Sequence, residues 1–328
     1  MTRVFRASSI RRAVGLTDLI EPVARAFADF SRGLGEAPMT VFAPAGPHGD
    51  VHVKCAWLPD HPMFTVKVAA SFAARAAGGE QASSGYVAIH DATTGDLLAL
   101  LRDEHYLTDV RTAAAGAVAT RMLARPDART VAVLGTGVQA HLQVLAVRAV
   151  RAIDRVLIWG RRRDAAGLLR ETIVGTAPEL SVSVADSAEL AVREADIVVT
   201  ATGSRQPILH GSWLRPGQHV TAVGADDPGK AELDPACFQR ADLLVVDSLL
   251  DTPRFAGDLR RAIEAGAITP SDVDAEVGDL VLGRHPGRRD AAEISVAKLV
   301  GLGVQDLVAA ETAMRGLAAT PRPKESAG

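Results

Sequence analysis

The sequence predicts an α/β protein, in which a doubly wound parallel sheet is joined to a second domain of α+β type. Three observations predict this class. From Arg129 onward, short apolar strands alternate with helical segments, as they do in parallel sheets. Before that point, apolar residues recur with a period of two in several consecutive strands. The chain has 328 residues, a length that favours two hydrophobic cores over one.

The composition excludes several protein classes. With 48% hydrophobic residues and a net charge of -3, the chain is not intrinsically disordered. The chain has 36 Lys and Arg residues and 39 Asp and Glu residues. Because it lacks a basic surplus, no nucleic-acid partner is expected. Two cysteines cannot build a disulfide framework and fit a reducing compartment. No apolar run reaches the roughly 18 residues of a membrane helix, and residues 1–10 lead into no signal-peptide core, so we expect a cytoplasmic protein without a membrane partner.

The first domain is predicted to begin with a helix and to continue as a mostly antiparallel sheet. Residues 16–30 carry apolar side chains at helical spacing, and Gly33 ends this helix. Strands are predicted near residues 51–55, 64–68, 86–90 and 97–101, with polar side chains along one face of the sheet. A helix then runs from Asp109 through residues 112–124 and ends before Pro126.

The second domain is predicted from a repeated order of strand and helix. Strands are expected at residues 130–134, 155–159, 181–184, 196–200, 219–223 and 242–246, and helices at residues 138–150, 164–171 and 187–193. Residues 255–266 and 293–310 are predicted to be further helices, the second of which returns to the first domain. The predicted domains are therefore residues 1–124 with 293–328, which is discontinuous, and residues 125–292.

A glycine-rich turn at the first strand–helix crossing is the sharpest local motif. Gly135, Gly137 and Ala140 have the spacing G-x-G-x-x-A, which suits a tight turn, the approach of a pyrophosphate to a helix start, and close helix packing. In this position the motif predicts a Rossmann-type dinucleotide site rather than a glycine-rich turn with no cofactor. The candidate cofactor-binding residues are Gly135, Thr136, Gly137, Val138 and Gln139.

The residues after the second strand of this domain bear on the choice of nicotinamide cofactor. An NAD site usually has Asp or Glu there, whereas this chain has Gly160 followed by Arg161, Arg162 and Arg163. A guanidinium pairs with a 2′-phosphate that a carboxylate would repel. The sequence therefore predicts that NADP(H) is preferred and that NAD(H) is possible, with a solvated basic helix start as the alternative interpretation.

Six segments of the chain together match the pattern of one known family. They are FTVKV at 64–68, YLTDVRTAAA at 106–115, GTGVQA at 135–140, VGADDPGKAEL at 223–233, EVGDL at 276–280 and EISVAKLVGLGVQD at 293–306. Through them the chain resembles the ornithine cyclodeaminase/mu-crystallin family over nearly its whole length, and residues 67–112 are most similar to the imine-reductase, amino-acid dehydrogenase and ectoine-utilisation branches. The resemblance implies a homodimer whose first domains pair, a nicotinamide cofactor, a small amino- or imino-acid substrate, and an active site in the cleft between the domains.

The resemblance also implies roles for individual residues. Lys67 would face the substrate near its carboxylate and reacting carbon, and Arg111 would bind the carboxylate through its planar fork. Asp226 would orient the substrate nitrogen and exchange its proton. Plainer interpretations remain open: solvated charges for Lys67 and Arg111, and a turn residue before Pro228 for Asp226. Three further residues are expected near the cofactor: Thr112, Thr202 and Val300.

Two departures from the family pattern leave the substrate open. Met39 stands where many members carry a basic residue that anchors the carboxylate. His52 and Lys54 alternate on one strand face, so they replace that anchor, hold a second acidic group, or are exposed strand residues. The segment GEQASSG at residues 79–85 replaces a Gly-Leu-Pro-Thr-like segment, which shifts or removes a hydroxyl contact with the substrate.

Three functions are compatible with these residues. The first is an NAD(P)H-dependent reductase of a small α-imino acid, of the ketimine reductase or amino-acid dehydrogenase type, with hydride transfer to the imine carbon. The second is a cyclodeaminase of ornithine or a related diamino acid, which recycles its NAD within one turnover. The third is a non-enzymatic binding protein for a small ligand, which the retained Lys67, Arg111 and Asp226 argue against. No metal site is expected, because the nine histidines show no ligand spacing.

Overall fold

The computed structural model describes residues 2–78 and 83–319, and these residues form two compact units. Unit 1 comprises Met1–Val23, Leu34–Arg111 and Gly303–Gly328, and unit 2 comprises Ala24–Gly33 and Thr112–Leu302. The predicted change at GEQASSG falls largely on residues 79–82, which lie outside the described residues. The units end at residues other than the predicted domain bounds, 1–124 with 293–328 and 125–292, and those bounds stay a prediction.

Fourteen strands are formed by the described residues, and they are numbered here in chain order. They are β1 (Arg3–Arg6), β2 (Met39–Phe42), β3 (Gly49–Ala56), β4 (Met63–Phe72), β5 (Ser83–Asp91), β6 (Leu97–Arg102), β7 (Thr130–Leu134), β8 (Arg155–Trp159), β9 (Ser181–Val184), β10 (Ile197–Thr200), β11 (His219–Ala222), β12 (Leu243–Val246), β13 (Ala275–Glu276) and β14 (Ser295–Lys298).

The same part of the chain forms twelve α-helices. They are α1 (Ala7–Ala13), α2 (Leu16–Ser31), α3 (Ala73–Ala77), α4 (Tyr106–Leu123), α5 (Val138–Val150), α6 (Arg163–Thr176), α7 (Ala188–Glu194), α8 (Pro235–Gln239), α9 (Thr252–Phe255), α10 (Gly257–Glu264), α11 (Val277–Val281) and α12 (Gly303–Ala319). No helix in the described ranges is both long and apolar enough to cross a membrane.

Unit 1 is built on a six-stranded sheet in the order β1-β6-β5-β4-β3-β2. All its strand pairs are antiparallel except β1 with β6, which is parallel. Along β3 and β4, buried and half-exposed side chains alternate, which is the pattern of a sheet covered on one face. Helix α12 packs against β3, β4 and β5. The prediction of a mostly antiparallel sheet with polar residues on one face is confirmed, since Lys54, Thr65 and Lys67 all lie on the buried face.

Unit 2 contains an eight-stranded sheet in the order β13-β12-β14-β11-β10-β7-β8-β9, and all its pairs are parallel. The chain runs outward from β7 through β8 to β9, then returns to β10 on the other side of β7. A ligand is expected where the direction reverses, at the carboxyl ends of β7 and β10. One core is formed by α5, α6 and the inner residues of β7, β8 and β10, with Val133, Val144 and Ile173 among them. The predicted Rossmann-type sheet is confirmed.

The expected helix over residues 293–310 is wrong. Ser295–Lys298 is a strand between β11 and β12, and the helix begins only at Gly303. Every side chain of this strand is buried, so its apolar residues fit either period and cannot distinguish a strand from a helix. Gly301, with a φ of 79°, breaks the regular structure between the two elements.

Other elements differ in extent or were missed. The expected helix over residues 255–266 corresponds to α10, which spans Gly257–Glu264, and the short helix α9 precedes it. Strand β1 was not predicted, because four residues with two arginines resemble a solvated stretch. Strand β13, which has two residues, is too short to produce a sequence pattern.

Candidate active site

A buried cluster of charges lies in unit 1 at the expected position of Lys67 and Arg111. The Lys67 Nζ atom lies 2.7 Å from Oδ2 of Asp306. Arg111 donates from Nε to Oδ1 of Asp306 at 2.9 Å, and from Nη1 to Oε1 of Gln305 at 2.8 Å. The exposed fractions of Lys67, Arg111 and Asp306 are 2%, 4% and 2%. The structure therefore brings together two of the predicted residues and excludes the interpretation that they are solvated surface charges.

The charges of this cluster control the protonation of Lys67. Burial lowers the pKa of the Lys67 ammonium to about 7, and the nearby Arg111 and Lys54 charges act in the same direction. The carboxylate of Asp306 opposes this shift. Although burial raises the pKa of Asp306, the neighbouring Arg111, Lys67 and Lys54 lower it below its ordinary value. Asp306 is therefore ionised at neutral pH, while Lys67 exchanges a proton there.

The strand register places the other substrate-binding candidates beside Lys67. Lys54 of β3 lies directly opposite Lys67 of β4, and Met39 of β2 lies directly opposite Lys54. Lys54 and His52 are 3% and 7% exposed, so the interpretation of both as exposed strand residues is wrong. His52 Nε2 lies 3.5 Å from Oδ1 of Asp50. A buried ammonium thus stands one strand away from Met39, where the family's basic anchor is missing.

The glycine-rich turn of unit 2 lines a cavity of about 590 Å³. Of the candidate cofactor residues, this cavity is lined by Gly135, Thr136, Gly137, Thr202 and both arginines, Arg161 and Arg162. Its remaining described lining residues are Trp159, Gly160, Ala201, Gly203, Ser204 and Ile208, so none of the lining residues that the structure describes is acidic.

The glycines of the turn fit a bound pyrophosphate. Gly135 has a φ of 139°, and a Cβ there would overlap the carbonyl oxygen of Ala201. Gly137 is the N-cap of α5, no side chain caps this helix, and a Cβ there would meet nothing within 4 Å. The first N–H groups of α5 are thus open to an anion that the helix dipole favours. The residues present fit a dinucleotide.

The arginines after β8 differ in their contacts. Arg161 and Arg162 are exposed and line the cavity. Arg163 instead forms a 2.9 Å ion pair with Asp186 on the surface. Of the three arginines predicted to replace the acidic residue of an NAD site, only Arg161 and Arg162 therefore remain candidates for binding the cofactor.

Four predicted cofactor residues are not among the described lining residues of this cavity. Val138 and Gln139 begin α5, with Val138 51% exposed. The Thr112 carbonyl accepts a hydrogen bond from Gln143 Nε2, and Val300 donates its backbone N–H to Oδ2 of Asp247 at 3.0 Å. Their roles at the cofactor stay predictions.

Asp226 follows β11 and contacts a lysine that sequence reasoning did not select. Lys230 Nζ lies 2.8 Å from Oδ1 of Asp226 and 2.9 Å from Oδ2 of Asp227. Burial lowers the pKa of Lys230, but the two carboxylates outweigh it and raise the pKa above its ordinary value. The charged ammonium holds the Asp226 carboxylate in place, which goes beyond the interpretation of Asp226 as a turn residue.

Sequence reasoning also missed Asp306 and Gln305. Both lie in the segment EISVAKLVGLGVQD, which supported the resemblance without pointing to these two residues. A signal was present, because Gln305 and Asp306 are adjacent polar residues in an otherwise apolar stretch of α12. Buried charges are rare unless they are paired. A polar pair in an apolar helix could therefore have been identified as the partner of the cations Lys67 and Arg111.

Comparisons with known proteins agree on one family. The sequence profile described as the ornithine cyclodeaminase/mu-crystallin family matches residues 2–317. An uncharacterised cyclodeaminase of Sinorhizobium fredii is 42% identical over 280 residues, which cover 85% of this chain and 82% of that protein. The Delta(1)-pyrroline-2-carboxylate reductase of Bacillus cereus is 33% identical over 312 residues, or 94% of each protein. The Thermococcus litoralis Delta(1)-pyrroline-2-carboxylate reductase, solved with NADH and L-proline, superposes with a TM-score of 0.92 at 29% identity and covers 97% of this chain and 98% of its own.

The lowered pKa of Lys67 can be measured directly. With ¹³C in the lysine side chains, of which the chain has five, the Lys67 signal is assigned by its loss in Lys67→Met. We expect it to titrate at about pH 7 and at lower pH in Asp306→Asn, because the carboxylate that favours the ammonium is gone. Glu311→Gln is the matched control, since this carboxylate of the same helix pairs with His61 instead. A midpoint near 10.5, or no change in Asp306→Asn, contradicts the prediction.

Proposed function

The chain belongs to the ornithine cyclodeaminase/mu-crystallin family, and on that premise we propose that it is an NAD(P)H-dependent reductase of a small α-imino acid. The observation that carries the proposal is the buried cluster in which Lys67 and Arg111 share the single carboxylate of Asp306. When Lys67 is protonated, this group has a charge of +1. A substrate carboxylate would neutralise it and would favour the protonated form of Lys67.

Each residue then has a defined task. Lys67 and Arg111 fix the substrate carboxylate, and the fixed carboxylate orients the imine carbon. The side-chain amide nitrogen of Gln305 has no hydrogen-bond partner among the described residues, so it supplies a further donor. Asp226, whose carboxylate is paired with Lys230, accepts a hydrogen bond from the iminium nitrogen and exchanges the proton of that nitrogen. When bound, NAD(P)H supplies the hydride that the imine carbon receives.

The position of Lys54 favours a reductase over a cyclodeaminase. A diamino acid brings a second ammonium, and a buried Lys54 on the same sheet face as Lys67 would repel it. Lys54 instead suits an acidic group, either the single carboxylate that Met39 cannot bind or a second carboxylate. The S. fredii relative is named a cyclodeaminase, and cyclodeaminase activity is therefore the second function to test.

Reduction of imines by the purified protein tests the proposed function. Cyclic α-imino acids, and α-keto acids with ammonia or methylamine, are incubated with NADPH or NADH, and the loss of reduced cofactor is followed by absorbance. We expect net oxidation of the cofactor with at least one monocarboxylic or dicarboxylic imine. In Lys67→Ala and Arg111→Ala, turnover should be abolished while cofactor binding persists, because each variant removes a contact with the substrate carboxylate and leaves Asp306 neutralised by the remaining cation, with no excess positive charge to attract that carboxylate.

A second assay, in which the protein is incubated with NAD and ornithine or lysine, tests the cyclodeaminase function. Release of ammonia without net change in the cofactor would identify a cyclodeaminase and reject the reductase. Binding of imino acids without turnover of any substrate would support the non-enzymatic ligand-binding protein. Unchanged rates in both alanine variants would remove Lys67 and Arg111 from the site.

The arginines of the cofactor cavity support a preference for NADP(H). If Arg161 and Arg162 pair with the 2′-phosphate, Arg161→Ala and Arg162→Ala should each weaken NADPH binding by about tenfold and leave NADH binding nearly unchanged, as loss of a charge-assisted hydrogen bond implies. Arg163→Ala is the matched control, because that guanidinium pairs with Asp186. Fluorescence titration gives the dissociation constants. An equal loss for both cofactors, or a clear preference of the wild type for NADH, would refute the preference.

We propose that the protein is a homodimer, because unit 1 has an apolar sheet face suited to a subunit interface. The face of its sheet opposite α12 carries half-exposed apolar side chains, among them Val66, Val68 and Leu100. Such a contiguous apolar face is typical of a subunit interface. We expect light scattering to give twice the mass of the chain, and Val68→Glu to give a monomer. Val174→Glu, on the exposed surface of α6, should stay dimeric, and a monomeric wild type would refute the dimer.

The proposed cellular location is the cytoplasm. Cys55 and Cys237 are both free thiols, and burial, together with Asp234, raises the pKa of Cys237. A buried, protonated thiol is inert, and thiols of this kind persist in a reducing compartment.

A further inference from the structure

A fully buried carboxylate joins two loops at the carboxyl edge of the sheet in unit 2. Glu232 is 0% exposed. Its Oε1 accepts hydrogen bonds from the backbone N–H of Thr202 at 2.6 Å and from the Thr202 hydroxyl at 2.8 Å. Its Oε2 accepts from the Thr200 hydroxyl and from the Gly224 N–H, both at 2.8 Å. Each oxygen thus has two donors, the full complement of an ionised carboxylate.

The surroundings keep this carboxylate in one place. The pKa of Glu232 is raised above its ordinary value, chiefly by burial and also by the charge of Asp258, while the buried ammonium of Lys298 and the hydroxyls of Thr200 and Thr202 oppose this rise. Lys298 Nζ lies 3.4 Å from Asp258 Oδ1, and both side chains are 0% exposed. The stability of a carboxylate buried away from solvent depends on its hydrogen bonds, because an unpaired buried carboxylate is costly. These hydrogen bonds also fix the positions of the groups that donate them.

The two loops that Glu232 holds carry different parts of the proposed chemistry. Thr202 lines the cofactor cavity together with Ala201, Gly203 and Ser204. Gly224 stands two residues before Asp226, and a Cβ at Gly224 would overlap both Thr202 and Glu232. The loop after β10 and the loop after β11 are therefore in contact, and Glu232 is bonded to both.

We propose that Glu232 is a positioning residue that holds the cofactor-binding loop at Thr202 and the loop of Asp226 in a single arrangement. Thr202 and Gly224 are hydrogen-bonded to opposite oxygens of one rigid carboxylate group, so a displacement of either loop relative to the other breaks hydrogen bonds to Glu232. This inference rests on the proposed function in assigning the cavity to a dinucleotide and Asp226 to the substrate nitrogen.

The chain offers a matched control at the opposite edge of the same sheet. Asp196, just before β10, accepts hydrogen bonds from the backbone N–H groups of Arg129 at 2.9 Å and Thr130 at 3.0 Å. It too joins two segments through one carboxylate. Because it lies at the amino ends of β7 and β10, its removal should affect stability and not the cofactor cavity.

The experiment compares Glu232→Gln with Asp196→Asn. The dissociation constant of NADPH is measured through the fluorescence of Trp159, which lines the cavity, and stability is measured by thermal unfolding. In Glu232→Gln an amide N–H₂ faces two donors, and we expect the dissociation constant to rise at least tenfold and kcat on an active imine to fall. In Asp196→Asn we expect a lower unfolding temperature with an unchanged dissociation constant.

A second variant keeps the proposal testable if Glu232→Gln does not fold. Thr200→Val removes one hydrogen bond to Glu232 from a side chain outside the described lining, and it should weaken NADPH binding about threefold. Wild-type affinity in the folded Glu232 variant, or equal losses of affinity in the Glu232 and Asp196 variants, would overturn the positioning role alone. If the wild type binds neither NADPH nor NADH, the proposed function fails and the assignment of Glu232 fails with it.

Discussion

The ion pairs of Asp306 with Lys67 and Arg111 impose the strongest constraint on unit 1. These charges come from β4, α4 and α12, and Arg111 and Asp306 are separated by 195 positions in sequence. A cation buried this deeply is tolerated only beside an anion, and removing one partner of such a pair typically costs about 3–5 kcal/mol. The end of the chain must therefore return to a sheet formed near its start, which accounts for the discontinuity of unit 1.

The backbone around α12 meets this constraint by close approach. A Cβ at Gly303 would overlap the Cys55 carbonyl of β3, and a Cβ at Gly316 would overlap the carbonyl of Ala13, the last residue of α1. Glycine at these two positions lets the helix lie directly on the sheet and on α1. The first turn of α12 is thereby brought near enough for Asp306 to reach Lys67 in β4.

The sequence predicted most of the fold, because regular patterns report local structure well. The strands at residues 130–134, 155–159 and 181–184 and the helix at residues 138–150 agree with the structure at both ends. The strand Ser295–Lys298 was assigned to a helix because a strand buried on both faces has no period of two. Lys67, Arg111 and Asp226 were found through resemblance to a family. Asp306 and Glu232 were missed because they act on other protein groups, and no local spacing links them to their partners.

The arrangement of charge separates two tasks that a reductase must combine. In unit 2, Glu232 accepts hydrogen bonds from protein donors on both oxygens, and the first N–H groups of α5 stay open at Gly137. In unit 1, Asp306 is shared by Lys67 and Arg111, so a second carboxylate completes the charge balance. Since the pKa of Lys67 is about 7, a carboxylate bound beside it would favour its protonation near neutral pH. Under the proposed function, binding of an acidic substrate would therefore be coupled to protonation of Lys67, which a diamino acid with its extra ammonium would oppose.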